Sequence, residues 1–312
     1  MLRYKADRRT LTIVTTYFVI AVTSWLYYEQ MTWGILVAAM ILNAVFAFFC
    51  AVIVHNTIHA PVFKSQWMNR IFQIILSFTY GHPVSAFVPG HNFSHHKELS
   101  TPKDIIRPSK VRYKSNFLNH LLFFFSVSGS IMRDEKAFIK RMRVHKPKWF
   151  RQYLIEAILV FGCKIALLII APVATILLIL IPHFYAVWGI VSTNFWQHDG
   201  CDTSHSYNHS RNFKSKILNF WTCNNGYHGI HHMRPGLHWS LLPEAHERLL
   251  EPYLHPNLNC DSLVKHLWKA TISPGKRLDY LGNPVVLGPK EEDGDWIANF
   301  PVHEKMEGYG AV

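Results

Sequence analysis

Four long apolar runs organise the chain: about 11–28 (LTIVTTYFVIAVTSWLYY), 32–54, 153–171 and 174–196. A helix of about 20 residues rises about 30 Å, the thickness of a bilayer's hydrocarbon core. Each run therefore predicts a transmembrane helix. The links between runs one and two (Glu29, Gln30, Met31) and between runs three and four (near Pro172) are short and hold no Lys or Arg. This spacing predicts two tight helical hairpins. The first run is longer than a signal-peptide core and is followed at once by a second span, so it reads as a membrane helix.

Charge orients the hairpins. Arg3, Lys5, Arg8, Arg9 and the segment from His55 to Gln152 carry the basic residues. By the positive-inside rule both termini and that segment face the cytoplasm. The expected organisation is one membrane domain over 1–312, with a cytoplasmic cap at 55–152 and 197–285 and a polar, loosely packed tail at 286–312. Two shorter apolar pieces, 71–89 and 117–132, read as helices lying at the interface, with Pro83 and Pro89 interrupting the first. Lys164 falls inside the third run: either it snorkels or the boundary of the run lies several residues away. The fold class is thus all-α integral membrane, with four spans and a helical cap.

Composition narrows the function. The chain is 49% hydrophobic, yet has a formal net charge of +12. Nucleic-acid binding would suit the charge but not the segregated apolar runs, so no nucleic-acid partner is expected. Cys50, Cys163, Cys201, Cys223 and Cys260 form no CxxC pair, which argues against a disulfide framework or a cysteine zinc site.

Histidine carries the chemistry. Four groups, boxes one to four in chain order, fall on the predicted cytoplasmic side: His55-Asn-Thr-Ile-His59, His91-Asn-Phe-Ser-His95-His96, Asn194-Phe-Trp-Gln-His198 and His228-Gly-Ile-His231-His232. Positions i, i+3 and i+4 of a helix share a face, so each group is expected to aim two side chains at one centre. Imidazole suits iron, zinc, copper and nickel, whereas magnesium and calcium prefer oxygen. Nine histidines exceed the needs of one tetrahedral ion, which points to two metals. The Glu-x-x-His signature of soluble di-iron bundles is absent from these groups.

This order of HxxxH, HxxxHH and HxxHH around a second hairpin resembles the membrane fatty acid desaturase and hydroxylase superfamily, from about residue 35 to 250. The second group has three residues before its His pair, where many acyl desaturases have two. The stretch QHDGCD…YNHSRNF…NNGYHGIHHMRPGLHWS is most similar to bacterial desaturase-like proteins, implying a bacterial inner membrane. The resemblance implies a di-iron centre in a cytoplasmic cap, using O2 and two electrons to attack an unactivated C–H bond. It implies His55, His59, His91, His95, His96, His198, His228, His231 and His232 as ligands, with Asn194 near a metal through water and no catalytic residue beyond the ligands. The expected substrate is a long acyl or other hydrocarbon chain, and the expected reaction is desaturation. Hydroxylation, carotenoid-type ketone formation and oxidative decarboxylation to a terminal alkene stand as alternatives. A membrane metal carrier or sensor is the alternative from another class.

Around the boxes, Asp199 and Asp202 could accept the second N–H of ligand imidazoles, as could Glu98, although a polar turn is the preferred reading of DGCD. His209 and His238 could support the site, His205 less so. His183, in mid-span beside Pro182, could line a substrate tunnel or satisfy a carbonyl freed by a kink. No GxGxxG or cytochrome-like appendage is visible in the sequence. Electrons are therefore expected from a separate ferredoxin, rubredoxin or cytochrome-type donor. The basic run Lys136–Arg151 would suit an acidic carrier, though the positive-inside pattern accounts for it alone.

Overall fold

The computed structural model describes residues 1–298, 300 and 301. The helices are α1 (Asp7–Leu26), α2 (Trp33–His59), α3 (Gln66–Tyr80), α4 (Val84–Val88), α5 (His96–Glu98), α6 (Asn116–His145), α7 (Pro147–Ile170), α8 (Pro172–Thr175), α9 (Ile181–His198), α10 (Lys216–Trp221), α11 (His228–Met233), α12 (Leu242–Leu249) and α13 (Leu263–Thr271). Two short strands, β1 (Asn212–Phe213) and β2 (Asn259–Cys260), pair in parallel. Wider π-helical turns join α4 to α5 (Pro89–His95) and α8 to α9 (Ile176–Leu180).

Among the described residues four helical stretches are long and apolar enough to cross a membrane: Asp7–Leu26, Trp33–His59, Pro147–Ile170 and Pro172–His198. These are the four expected spans, and the protein is an all-α membrane protein. The boundaries differ from the apolar runs. Helix α2 continues five residues past the run ending at 54, so the first histidine group lies in its last turn. Helix α7 begins six residues before 153, with Pro147 at its first position. Hydropathy marks where lipid contact ends, whereas the backbone ladder continues until it is capped.

Two compact units are present, and the first comprises Met1–Val88 with Ile139–Ile190. Within it α1 packs on α2, α2 on α3, and α7 on α3 and α4. Several polar groups inside the apolar spans pair with one another, as lipid favours. Asn43 Nδ2 donates to Ser24 Oγ at 2.9 Å, and Trp25 Nε1 to Thr175 Oγ1 at 3.0 Å. Glu156 is fully buried and accepts from Ser85 N at 2.9 Å, Ser85 Oγ at 3.1 Å and Gln152 Nε2 at 2.9 Å.

The 71–89 piece breaks as Pro83 demands, with an 85° bend between Tyr80 and Val84. Pro89 does not break it further, since it opens the π-helical turn. Helix α3 buries Phe72, Leu76 and Tyr80 on one face and exposes Trp67 and Ile71 on another. The 117–132 piece is the first half of α6. Lys164 lies within α7, and its Nζ donates to the Gly81 carbonyl at 2.6 Å, where α3 ends. His183 shares a hydrogen bond of 2.8 Å with Tyr17. It lines a cavity of about 330 Å³ whose other walls include Phe18, Trp25, Phe78 and Val160.

The second unit comprises Pro89–Phe138 with Val191–Pro301. Its C-terminal segment departs from the loosely packed tail expected over 286–312. Asp293 receives hydrogen bonds from Arg107 (2.9 Å), Lys110 (2.9 Å) and Ser130 (2.6 Å). Trp296 Nε1 donates to buried Asp134 at 2.7 Å. The Phe300 ring lies 4.6 Å from Phe93 and 5.3 Å from Phe138. A few apolar and acidic residues in a polar sequence suffice to strap 288–301 down, because their partners are gathered from distant segments. Residues 302–312 of the expected tail, and Asn299, lie outside the described residues.

Candidate metal centre

Within the second unit seven histidines from three segments converge. His95, His198, His228 and His232 each offer one ring nitrogen, and the four nitrogens lie within 4.8 Å of one another. Three of them form a triangle of Nε2 atoms: His198–His228 at 2.9 Å, His228–His232 at 3.1 Å and His198–His232 at 3.2 Å. A second set lies beside it. His96 Nε2 is 3.0 Å from His91 Nε2 and 3.2 Å from His231 Nε2. His55 and His59 belong to the first unit, where their rings stand 5.6 Å apart in the last turn of α2 and His55 is buried.

The local backbone decides which histidine joins which set. An α-helix would place His91 and His95 on one face. The stretch Pro89–His95 is instead π-helical, with i→i+5 bonding. The wider turn brings His91 against His96, and sends His95 to the other set. Box four divides in a similar way: His228 and His232 share a face of α11, while His231 meets His96. The expectation that each group serves one centre is thus corrected, because boxes two and four each supply both sets.

Outer partners set the tautomers. His95 Nδ1 lies 3.1 Å from the Asp104 carboxylate, both fully buried. The carboxylate accepts the Nδ1 proton, leaving Nε2 as a lone pair. Buried His95 Nε2 has no hydrogen-bond partner among the described residues, yet it faces His198 and His232, whose ring centres are each 4.9 Å away. His198 Nδ1 donates to the His209 carbonyl at 3.0 Å, so its Nε2 is also a lone pair. Burial, and then the nearby His96, His228, His198 and His95 rings, hold the His232 pKa well below the usual imidazole value. Neutral imidazoles are the form that binds metal.

The donor set fits a metal ion. Two nitrogens bound at about 2.1 Å stand about 3.0 Å apart at a right angle and about 3.4 Å apart at a tetrahedral one. The three Nε2 separations fall at or near this range. Without an ion, lone pairs converging at such distances in a buried site would repel. Nitrogen-only ligation suits iron, zinc, copper or nickel.

The flanking candidates take other roles. Asn194 is buried and its Nδ2 donates to the Ile106 carbonyl at 3.1 Å. Asp199, one of the acids that could have oriented an imidazole, pairs with Arg277 Nε at 2.9 and 3.1 Å. The carboxylate that does orient one is Asp104. Its only sequence signal is an acid nine residues after His95 in a basic stretch. Asp202 binds Ser204 in a turn. Glu98 lies 3.7 Å from Lys103. His205 Nδ1 accepts from Tyr207 N and Asn208 N. His209 supports His198 through its backbone carbonyl, while its ring meets Ser210 at 2.7 Å; burial, with His205, lowers its pKa to about 4. His238 Nδ1 accepts from Ser240 N and caps a short 3-10 turn.

No curated protein matches the sequence. The family model described as fatty acid desaturase matches residues 31–262, a stretch that holds every clustered histidine, Asp104 and three of the four spans. Given that match, a nitrogen-donor site and the membrane helices that accompany it, the chain belongs to the fatty acid desaturase family and is a membrane oxidoreductase of the desaturase and hydroxylase superfamily.

Proposed function

We propose that the protein is an O2-dependent di-iron enzyme that introduces a C=C bond into a long fatty acyl chain, acting as a single membrane domain. The observation that carries this reading is the pair of adjoining nitrogen-donor sets built from boxes two to four. In this reading His95, His198, His228 and His232 hold one ion. His91, His96 and His231 hold the other, with His55 and His59 completing the nine ligands that the family resemblance implies. When bound, an iron pair supplies the power to activate O2 for hydrogen abstraction from an unactivated C–H bond. The overall reaction balances when two substrate hydrogens, two electrons and two protons reduce O2 to two waters.

The chain's own contribution is support. Asp104 fixes the His95 ring and the His209 carbonyl fixes His198, and burial of both rings keeps bulk water out. A lipid substrate follows from the family, and a membrane site gives its apolar tail shelter. The basic loops support an orientation with both termini in the cytoplasm of a bacterial inner membrane. There a separate ferredoxin, rubredoxin or cytochrome-type donor delivers the electrons.

The test is expression in a host that supplies iron and a reductase, beside His231→Ala. Total lipids and headspace hydrocarbons of both are compared by gas chromatography–mass spectrometry. A new double bond that disappears in the variant is the expected result. A hydroxylated lipid, a ketone or a terminal alkene would replace the reaction assigned here while keeping the site. Identical profiles across acyl and carotenoid hosts would overturn the reading.

A further inference from the structure

Two short helices in the second unit present apolar faces that the unit does not cover. Helix α13 (LVKHLWKAT) has no buried residue. Val264 is 76% exposed, Trp268 59% and Ile272 53%. At i, i+4 and i+8 they form one stripe. Nine residues are too few for a stable isolated helix in water, and such helices hold by burying their apolar face. In α10 (KILNFW), Ile217 is 77% exposed, Phe220 48% and Trp221 37%.

The two helices are built alike. Strands β1 and β2 pair in parallel, with Asn212 opposite Asn259 and Phe213 opposite Cys260. Two residues after each strand a helix starts. Its N-cap serine, Ser215 or Ser262, accepts from the backbone N–H of Leu218 or Lys265. Each helix has an exposed aliphatic residue at its second position (Ile217, Val264) and an exposed tryptophan at its sixth (Trp221, Trp268). Parallel pairing and equal spacing launch the two helices from the same end of the ribbon. Their only charged residues are Lys216, Lys265 and Lys269, all exposed, and neither helix has an acid.

We propose that α10 and α13 form a paired interfacial anchor that inserts its aliphatic and tryptophan side chains into the headgroup boundary of a bilayer containing anionic phospholipid. Tryptophan at the boundary with lysines toward the phosphates is the composition of helices that lie in a membrane interface. The chain already spans a bilayer, so contact with that surface carries no further cost of bringing two molecules together. An acidic protein partner would suit the lysines, but it would leave the aliphatic stripe without a reason.

The test uses the full chain in vesicles of phosphatidylethanolamine and phosphatidylglycerol. A ketone-bearing amino acid is encoded at Trp268, or separately at Ile217, and coupled to a nitroxide, so the native cysteines stay in place. Collision with O2, which partitions into lipid, is compared with collision with a water-soluble nickel chelate. A control label at exposed Glu244 of α12 reports the aqueous case. Both test labels should favour O2 severalfold over the control, and should become shallower when phosphatidylcholine replaces phosphatidylglycerol. Because both sites are exposed, folding is little challenged, and each position checks the other. Labels at 268 and 217 that read as aqueous as the control would overturn the proposal. Labels that lose water access only when an acidic ferredoxin is added would overturn it in favour of a protein-docking surface.

Discussion

Replacing Asp104 by Asn tests the logic of the site most sharply, because the side chain keeps its shape and loses only its charge and one acceptor. The carboxylate is fully buried and serves three donors. Oδ2 accepts from His95 Nδ1 at 3.1 Å and from Ser100 N at 2.9 Å, and Oδ1 from Ile106 N at 3.0 Å. An asparagine has one acceptor oxygen. Placed at Oδ2 it keeps two donors and turns its NH2 against Ile106 N–H; placed at Oδ1 it strands two. The first arrangement should win, leaving one buried donor unmet at about 1–3 kcal/mol of stability. His95 would then keep a weaker, neutral acceptor. Loss of such outer support lowers metal affinity by about 10–100-fold, equivalent to about 1.4–2.7 kcal/mol at 1.36 kcal/mol per decade. The assay is competition for Fe2+ or Co2+ against a graded chelator on detergent-purified protein, with a thermal melt measured alongside. His95→Ala serves as the reference for loss of the ligand itself. Asp104→Asn protein that holds metal as tightly as the native chain, while His95→Ala does not, would refute the orienting role.

Three further predictions follow from single features. Desolvation pushes the Asp293 pKa up, but hydrogen bonds from Lys110, Ser130 and Arg107 outweigh it and hold the carboxyl well below the usual carboxylate range. A lowered folded pKa stabilises above the unfolded value of about 3.9 and is lost as pH falls through the folded one. Protection of the Gly294 amide, which donates to the Pro102 carbonyl, taken relative to its intrinsic exchange rate, should therefore persist from neutral pH down to strong acid, and Asp293→Asn should lower it at neutral pH but not where Asp293 is itself protonated. Gly81 ends α3 at φ +73°, and a Cβ added there would run into the His183 ring, so Gly81→Ala brings both left-handed strain and a clash. It should cost about 1 kcal/mol or more and lower the melting temperature, whereas Gly34→Ala, with open space around it, should not. Among the described residues neither histidine set includes a cysteine. The Co2+-loaded protein should therefore show d–d bands without thiolate charge transfer, and blocking the free thiols should leave metal content unchanged; a strong charge-transfer band would contradict the nitrogen-only set.

The four spans and the histidine groups could be read from the chain because both are local patterns. Lipid contact demands long apolar runs, and box residues recur within one helical turn. Even there the edges escaped. Helix α2 runs to His59 because its backbone ladder does not stop where hydropathy does, and Lys164 finds the Gly81 carbonyl only because α3 ends beside it. The partition of the histidines belonged to tertiary structure. Pro89–His95 adopts a π-helical turn, and that one change of pitch sends His91 to His96 and His95 toward His198. Asp104 became identifiable as a partner of His95 only when the loop after box two folded back over it. The strap at 288–301 reads as a polar tail until Arg107, Lys110, Ser130 and Asp134 are brought together to receive it. Hydropathy and short-range spacing are properties of neighbours along the chain. Tautomer, burial and ion pairing are properties of neighbours in space, and those arise only when distant segments have packed.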